Sequence, residues 1–188
     1  MGFHDDDKNV EQYIQMAEGY DGKLLIDILL KHLPSKSSVL ELGMGPGVDL
    51  LLLNEHFQVT GSDNSTVFVE RFKKQHPTID ATQLDAVTMT IDNTFDCIYS
   101  NKVLHHLTSE QLKTSFQKQA SVLNKGGILL HSFWYGDQIE EHQGMRSVYY
   151  TEQSIRDVIG SEYDIIDIQL YDEMDTDDSL YIVLKKNI

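Results

Sequence analysis

In the stretch SSVLELGMGPGVDLLLLNEHF, three glycines, Gly43, Gly45 and Gly47, stand between a short apolar run and a leucine-rich one. Residues without side chains at a strand-to-helix turn let the backbone approach a ligand closely. Pro46 and Gly47 then open a helix, with the proline in a favoured first-turn position. Amide N–H groups and the helix dipole at that end favour a negatively charged ligand group. A tight β–α turn with no ligand would use glycine too, so spacing has to decide. A dinucleotide loop needs G-x-G-x-x-G, and its third glycine would fall on Val48. No G-K-S/T occurs, so a Walker loop is absent.

Acids stand where such a loop needs them. Glu41 precedes it, Asp63 closes the second strand-like run, Asp85 closes the third, and YSNKVLHHL follows the fourth. A carboxylate at Asp63 can accept from both hydroxyls of a ribose, each charge-assisted bond contributing roughly 1.5–3 kcal/mol. Glu41 inside an apolar run is costly unless paired. Polar residues ending four successive strands line one crevice, the place where open α/β sheets bind ligands.

His105, His106 and His131 lie near strand ends and are the candidate proton acceptors. One exposed and one packed histidine is the plainer reading of HHL. No histidine has a partner at a recognisable metal-ligand spacing, so no metal is expected. Tyr13, Tyr20, Trp134, Tyr149 and Tyr150 are candidates to close over a pocket or to pack in the core. Over a cationic ligand such rings contribute roughly 0.5–2 kcal/mol. Arg146 stands out in an acidic chain, as a partner for a substrate carboxylate or for a surface acid.

The elements that position these residues can be read from periodicity. Val10, Tyr13, Ile14 and Ala17 share one helical face; Leu24, Leu25, Ile28 and Leu29 share another, ended by Pro34. Strand-like runs SVLELG, QVTGSD, IDATQLD, TFDCIYSN and GGILLHSFWY then alternate with helices over residues 48–55, 66–75 and 109–123. In the third helix Thr108 or Ser109 can cap while Glu110 or Gln111 reaches back. Asn124, Lys125, Gly126 and Gly127 read as a glycine helix stop. The alternation implies a parallel sheet with helices on both faces. After a helix at TEQSIRDVIG, YDIIDIQLY and SLYIVLKK are joined by DEMDTDD, a link short enough only for an antiparallel hairpin. That acidic turn lacks EF-hand spacing and a central glycine, so it reads as solvated.

The 188 residues fit one domain over 1–188: a helical cap at 1–36, a core at 37–135, and a C-terminal helix and hairpin at 136–188. No run of about 18 apolar residues occurs, the polar start is not a secretory signal, and Asp6 argues against myristoylation. The lone Cys97, in an apolar run, reads as a buried hydrophobe in a reducing cytoplasm. Fifteen basic residues against 30 acidic ones give a net charge of −15, which opposes binding to nucleic acid and anionic membranes.

Taken in order, VLELGMGPG, VTGSD, QLDA, FDCIYSNKVLHHL and LNKGGILLHSFW resemble the class I S-adenosylmethionine-dependent methyltransferases. The resemblance implies a doubly wound, mostly parallel seven-stranded sheet whose antiparallel last strand inserts beside the fifth. It implies that Gly43, Met44, Gly45 and Gly47 pass beneath the methionine part of S-adenosylmethionine, with Glu41 supporting its amino end. Asp63 would hold the ribose diol, with Asn64 beside it near the adenine, and Asp85 and the Ala86 amide would meet the adenine itself. Ser100 and Asn101 would lie near the amino group, and Tyr20 would close over the site. The reaction implied is in-line methyl transfer to a small molecule, because SNKVLHHL is not the N/D-P-P-Y/F sequence of nucleobase amino methylation. A non-catalytic cofactor-binding or scaffold protein of the same fold is the alternative. Neither the acceptor nor the oligomeric state can be read from the sequence.

Overall fold

The computed structural model describes Glu11, Ile14, and residues 19–142 and 145–187. Val10, Tyr13 and Ala17 of the expected first helix lie outside these. The next helix, α1 (Lys23–His32), stops before Pro34 as expected and buries Leu25, Ile26, Ile28 and Leu29. Leu24, assigned to that face from the spacing, is instead exposed.

Strands and helices then alternate: β1 (Ser38–Leu42), α2 (Val48–Asn54), β2 (Gln58–Asp63), α3 (Thr66–Gln75), β3 (Asp80–Gln83) and β4 (Phe95–Ser100). A 3-10 turn at Leu104–His106 leads to α4 (Ser109–Val122) and β5 (Leu123–Trp134). Two short strands follow, β6 (Ile139–His142) and β7 (Met145–Val148), then α5 (Glu152–Arg156), β8 (Tyr163–Tyr171) and β9 (Ser179–Lys186).

Seven strands form one sheet in the order β3-β2-β1-β4-β5-β9-β8. Strands β1 to β5 pair in parallel, and β9 runs antiparallel between β5 and β8. This is the doubly wound α/β sheet with an antiparallel C-terminal hairpin. Alternating strand residues divide the apolar side chains between two cores. Leu40, Leu42, Ile98 and Leu129 meet Leu112 and Phe116 of α4 on one face. Val39, Cys97, Tyr99 and Leu130 meet Leu29, Leu50 and Phe72 of α1, α2 and α3 on the other. Strands buried on both faces read as near-continuous apolar runs, which is why the central ones stand out in the sequence.

Local chemistry sets the ends. Thr108 caps α4 by accepting from the Gln111 amide at 3.2 Å, while the Gln111 side chain takes the Thr108 amide at 2.9 Å. The expected glycine stop after α4 is absent. Leu123 is already extended, and Gly126 and Gly127 lie inside β5, where the pairing with β4 jumps from Phe95↔Leu123 to Cys97↔Ile128. The glycines therefore make a β-bulge, which Asp96 holds by accepting from Asn124 at 2.8 Å. The segment after β5, which lacks a strand-like pattern, folds as the β6–β7 hairpin over the 3-10 turn. The helix at TEQSIRDVIG shortens to α5, capped by Thr151. Among the described residues no helix is long and apolar enough to cross a membrane.

Candidate active site

The glycine loop leaves β1 through three left-handed residues, Gly43 (φ 66°), Gly45 (φ 50°) and Gly47 (φ 89°). A Cβ at Gly43 would lie 2.5 Å from a methyl of Val103, so the loop also packs closely on the segment after β4. Gly47 is the N-cap of α2, and its missing side chain makes room for the Phe72 ring. Pro46 thus precedes the cap, rather than standing in the first turn.

Asp63 fastens this loop. Its Oδ2 accepts from the Gly45 amide at 3.0 Å and its Oδ1 from the Ser65 amide at 2.8 Å. The end of β2 and the loop after β1 are joined through one half-buried carboxylate. Asp85, two residues beyond β3 rather than at its end, uses Oδ1 to accept from the amides of Val87 and Thr88, at 2.6 and 3.2 Å. It is both a turn residue and part of a cavity wall.

That cavity, of about 590 Å³, opens at the C-terminal ends of the parallel strands. Gly43, Gly45, Asp63, Asn64, Asp85 and Ala86 line it, together with His106. Tyr20, Glu41, Met44, Gly47, Ser100 and Asn101 are not in its wall. Tyr20 is exposed, and the Met44 side chain is buried where its sulfur packs on Gly61.

Glu41 is 3% exposed, and its Oε2 has no hydrogen-bond partner among the described residues. Burial first, then the charges of Asp49 and Asp63, push its carboxyl well above the ordinary carboxylate range. Asp49 was not singled out in the sequence. In the first turn of α2 it accepts from the Gly22 amide (2.6 Å), the Tyr99 hydroxyl (2.7 Å) and the Asn101 amide (3.1 Å). Asn101 in turn accepts from Ser132 at 2.7 Å. The signal was available: an acid inside VDLLLLN is costly unless it has partners.

The three histidines separate. His131 faces the core: it is fully buried, with Nε2 donating to the Gln119 carbonyl and Nδ1 accepting from the Ser100 hydroxyl, both at 2.8 Å. Burial holds its ring neutral, pulling it down to about 3. Both nitrogens and the Ser100 hydroxyl are occupied, so this pair is not placed to exchange a proton with a ligand. His105 is also buried, outside the cavity wall, with its ring 4.0 Å from that of His106. His106 lines the cavity, and its Nδ1 lies 2.6 Å from the Arg146 carbonyl. A carbonyl only accepts, so Nδ1 donates, and the neutral ring keeps its lone pair on Nε2. Burial lowers this ring as well, while the Arg146 carbonyl opposes the shift.

Lys102, beside Asn101, also escaped the sequence reading. It lines the cavity with a left-handed backbone (φ 54°). Its ammonium lies 3.7 Å from the centre of the Trp134 ring, and burial draws it down to about 8. Trp134 and Tyr149 stack nearby with centroids 6.5 Å apart, and the hairpin contributes Glu141, Met145 and Arg146 to the wall.

Comparison with known proteins bears on the fold and the family. The family described as "Methyltransferase domain" matches residues 39–127. A protein of Oceanobacillus iheyensis named an uncharacterized methyltransferase is 31% identical over 132 residues, which are 69% of this chain and 58% of that protein. This chain thus spans less than two thirds of the length of the curated relatives it matches. An S-adenosylmethionine-dependent methyltransferase from Clostridium acetobutylicum superposes with a TM-score of 0.78 at 14% identity, covering 97% of this chain and 99% of that one. The 1,6-didemethyltoxoflavin-N1-methyltransferase of Burkholderia thailandensis, solved with bound 1,6-didemethyltoxoflavin and S-adenosylhomocysteine, also gives 0.78, at 17% identity over 95% and 83%. Those two likenesses show a shared fold. Residues 39–127 thus match the methyltransferase domain family, and the ordered loop, acids and sheet give the chain the fold of the class I S-adenosylmethionine-dependent methyltransferases.

Proposed function

We propose that the chain binds S-adenosylmethionine and transfers its methyl group, in line, to a small molecule. The observation that carries this reading is the bond between Asp63 and the Gly45 amide. It fastens the acid suited to a ribose to the loop suited to the methionine part, in one cavity wall.

The residues suit the cofactor's groups. Asp63 is a carboxylate in the cavity wall at the end of β2, a group of the acceptor-only kind that a ribose diol can donate to. Glu41, behind the cavity wall, offers an oxygen with no hydrogen-bond partner among the described residues, next to the charges of Asp49 and Asp63, which suits an ammonium. Asp85 and the Ala86 amide stand at the adenine end. Residues 37–135 would hold the cofactor within a single domain.

When bound, S-adenosylmethionine supplies a methyl group on a positively charged sulfur, which leaves with the bonding pair as a neutral thioether. The chain has to hold the acceptor's lone pair behind that carbon, an orientation worth up to about 7–11 kcal/mol. An acceptor that carries a proton gives it to Nε2 of His106, whose tautomer the Arg146 carbonyl fixes. Positioned bases of this kind contribute roughly 10²–10⁴-fold.

Calorimetric titration with S-adenosylmethionine, S-adenosylhomocysteine and NAD, repeated on Asp63→Ala, tests the reading. Both adenosyl ligands are expected to bind, NAD is not, and the variant is expected to lose them. No adenosyl binding would sink the proposal. Tight binding without turnover of any acceptor would favour the non-catalytic alternative.

A further inference from the structure

The cavity is electrically polarised along the sheet. On the side of β1, β2 and β3 its charged walls are Asp63 and Asp85; on the side of β4, β5 and the β6–β7 hairpin they are Lys102, Arg146 and the Arg146 partner Glu141. In a chain with twice as many acids as bases, two cations in one wall run against the overall balance.

Neither cation is fully engaged. The Lys102 side chain is 13% exposed, anchored at its backbone by the amide donating to Ser132 at 3.0 Å. Its ammonium donates to the Ser179 hydroxyl and faces the Trp134 and Tyr171 rings. It forms an ion pair with the largely buried Glu173 carboxylate at 3.9 Å, too long for a hydrogen bond. Asp178 also attracts it, but the Asp178 oxygens already accept from three amides and the Ser179 hydroxyl. An ammonium has three donors, and one meets an acceptor among the described residues. A buried cation with open donors is costly unless something completes its shell. Among the described residues the Arg146 side chain pairs with Glu141 alone, at 3.4 Å, and both side chains are over 40% exposed. Pairs of that kind contribute little, so they exchange easily for a better partner.

We propose that the methyl acceptor is a small molecule bearing an oxyanion, a carboxylate or a phosphate, held between Lys102 and Arg146 at the β4–β5 end of the cavity. Repulsion from Asp63 and Asp85 keeps that group at the cationic end, so the rest of the acceptor turns toward His106 and the glycine loop. The same walls disfavour cationic acceptors such as polyamines. The term acceptor rests on the methyltransferase reading; the anion site does not.

Trp134 is the chain's one tryptophan and lies under the Lys102 ammonium, so its emission reports on the site. The full chain, with and without saturating S-adenosylhomocysteine, is titrated with sodium acetate, sodium phosphate and neutral acetamide at constant ionic strength. Emission and calorimetric heat are both recorded. A saturable response to at least one anion, with none to acetamide, is expected. It is expected to weaken about tenfold or more in Arg146→Gln and in Lys102→Gln, and to recover in Lys102→Arg. Response to acetate alone specifies a carboxylate acceptor, and response to phosphate alone a phosphorylated one. No saturable response to either anion, an equal response to acetamide, or a response that survives both substitutions overturns the proposal. If anions bind but S-adenosylhomocysteine does not, the methyltransferase reading fails and the anion site stands. The reverse result removes this inference alone.

Discussion

The Tyr99 hydroxyl donates to Asp49 at 2.7 Å, and the same carboxylate takes the amide of Gly22 at 2.6 Å. One buried acid therefore joins β4, α2 and the start of α1. Removing the hydroxyl in Tyr99→Phe is expected to cost about 1–3 kcal/mol in urea denaturation. Gly22→Ala is expected to cost more, because its Cβ would lie 2.2 Å from the Tyr99 oxygen and 2.3 Å from Asp49 Oδ2. A silent Gly22→Ala would mean that this junction is not closed in solution.

At Gly43 two penalties are separable. Alanine there meets Val103 at 2.5 Å and must hold φ 66°. The left-handed backbone alone costs roughly 1–2 kcal/mol, and overpacking adds about 1–3 kcal/mol. The double variant Gly43→Ala/Val103→Ala is expected to regain the packing part only. Full recovery of stability would show that backbone conformation is not what selects glycine.

His131 makes stability depend on pH. Its folded value of about 3 lies below the ordinary histidine value near 6.5. Between those values the unfolded chain binds a proton that the folded chain does not. The contribution is therefore complete above pH 6.5 and falls by about 1.4 kcal/mol per unit as pH drops toward 3. His105 and His106 shift the same way, whereas Glu41, raised on folding, opposes them. Melting temperatures from about pH 7 to pH 5 are expected to fall more steeply for the native chain than for His131→Gln. Parallel curves would mean that the ring titrates inside the fold.

Lys102 gives an optical titration. With its ammonium 3.7 Å from the Trp134 ring centre and its value near 8, Trp134 emission is expected to change with a midpoint about pH 8. Lys102→Gln removes the transition. Because the folded value lies below the ordinary 10.5, this lysine adds stability as pH rises from 8 to 10.5.

His106 is expected to affect rate rather than cofactor affinity. Once an acceptor with an ionisable proton is in hand, His106→Gln is expected to lower kcat roughly 10²–10⁴-fold. An unchanged S-adenosylhomocysteine affinity would accompany it. A matching loss of cofactor binding would instead mark a structural role.

The doubly wound sheet was legible because β1, β4 and β5 are buried on both faces and declare themselves as apolar runs. The hairpin around Glu141 and Arg146 was not, since QIEEHQGMRS has no strand-like apolar alternation. Its position depends on the 3-10 turn beneath it. Lys102 was invisible for a related reason: its partners Trp134, Tyr171 and Ser179 come from later elements. His131 looked like a crevice residue, but β5 runs three residues past it to Trp134, which leaves it in mid-strand opposite Ser100. Asp63 was read correctly as a strand-end acid, while its bond to Gly45 needed the fold.

The insertion of β9 between β5 and β8 also bears on synthesis. As the chain leaves the ribosome, β5 emerges with an outer edge that pairs along its length, from Ile128 to Trp134, only with β9. The hairpin, α5 and β8 are all made first. Throughout that interval the nascent protein presents an open apolar edge at Leu129, Leu130 and Phe133, the kind of surface that invites pairing with other chains. Chaperone capture during translation is therefore expected to end when β9 emerges, and a ribosome stalled just before Ser179 is expected to hold a chain that aggregates on release.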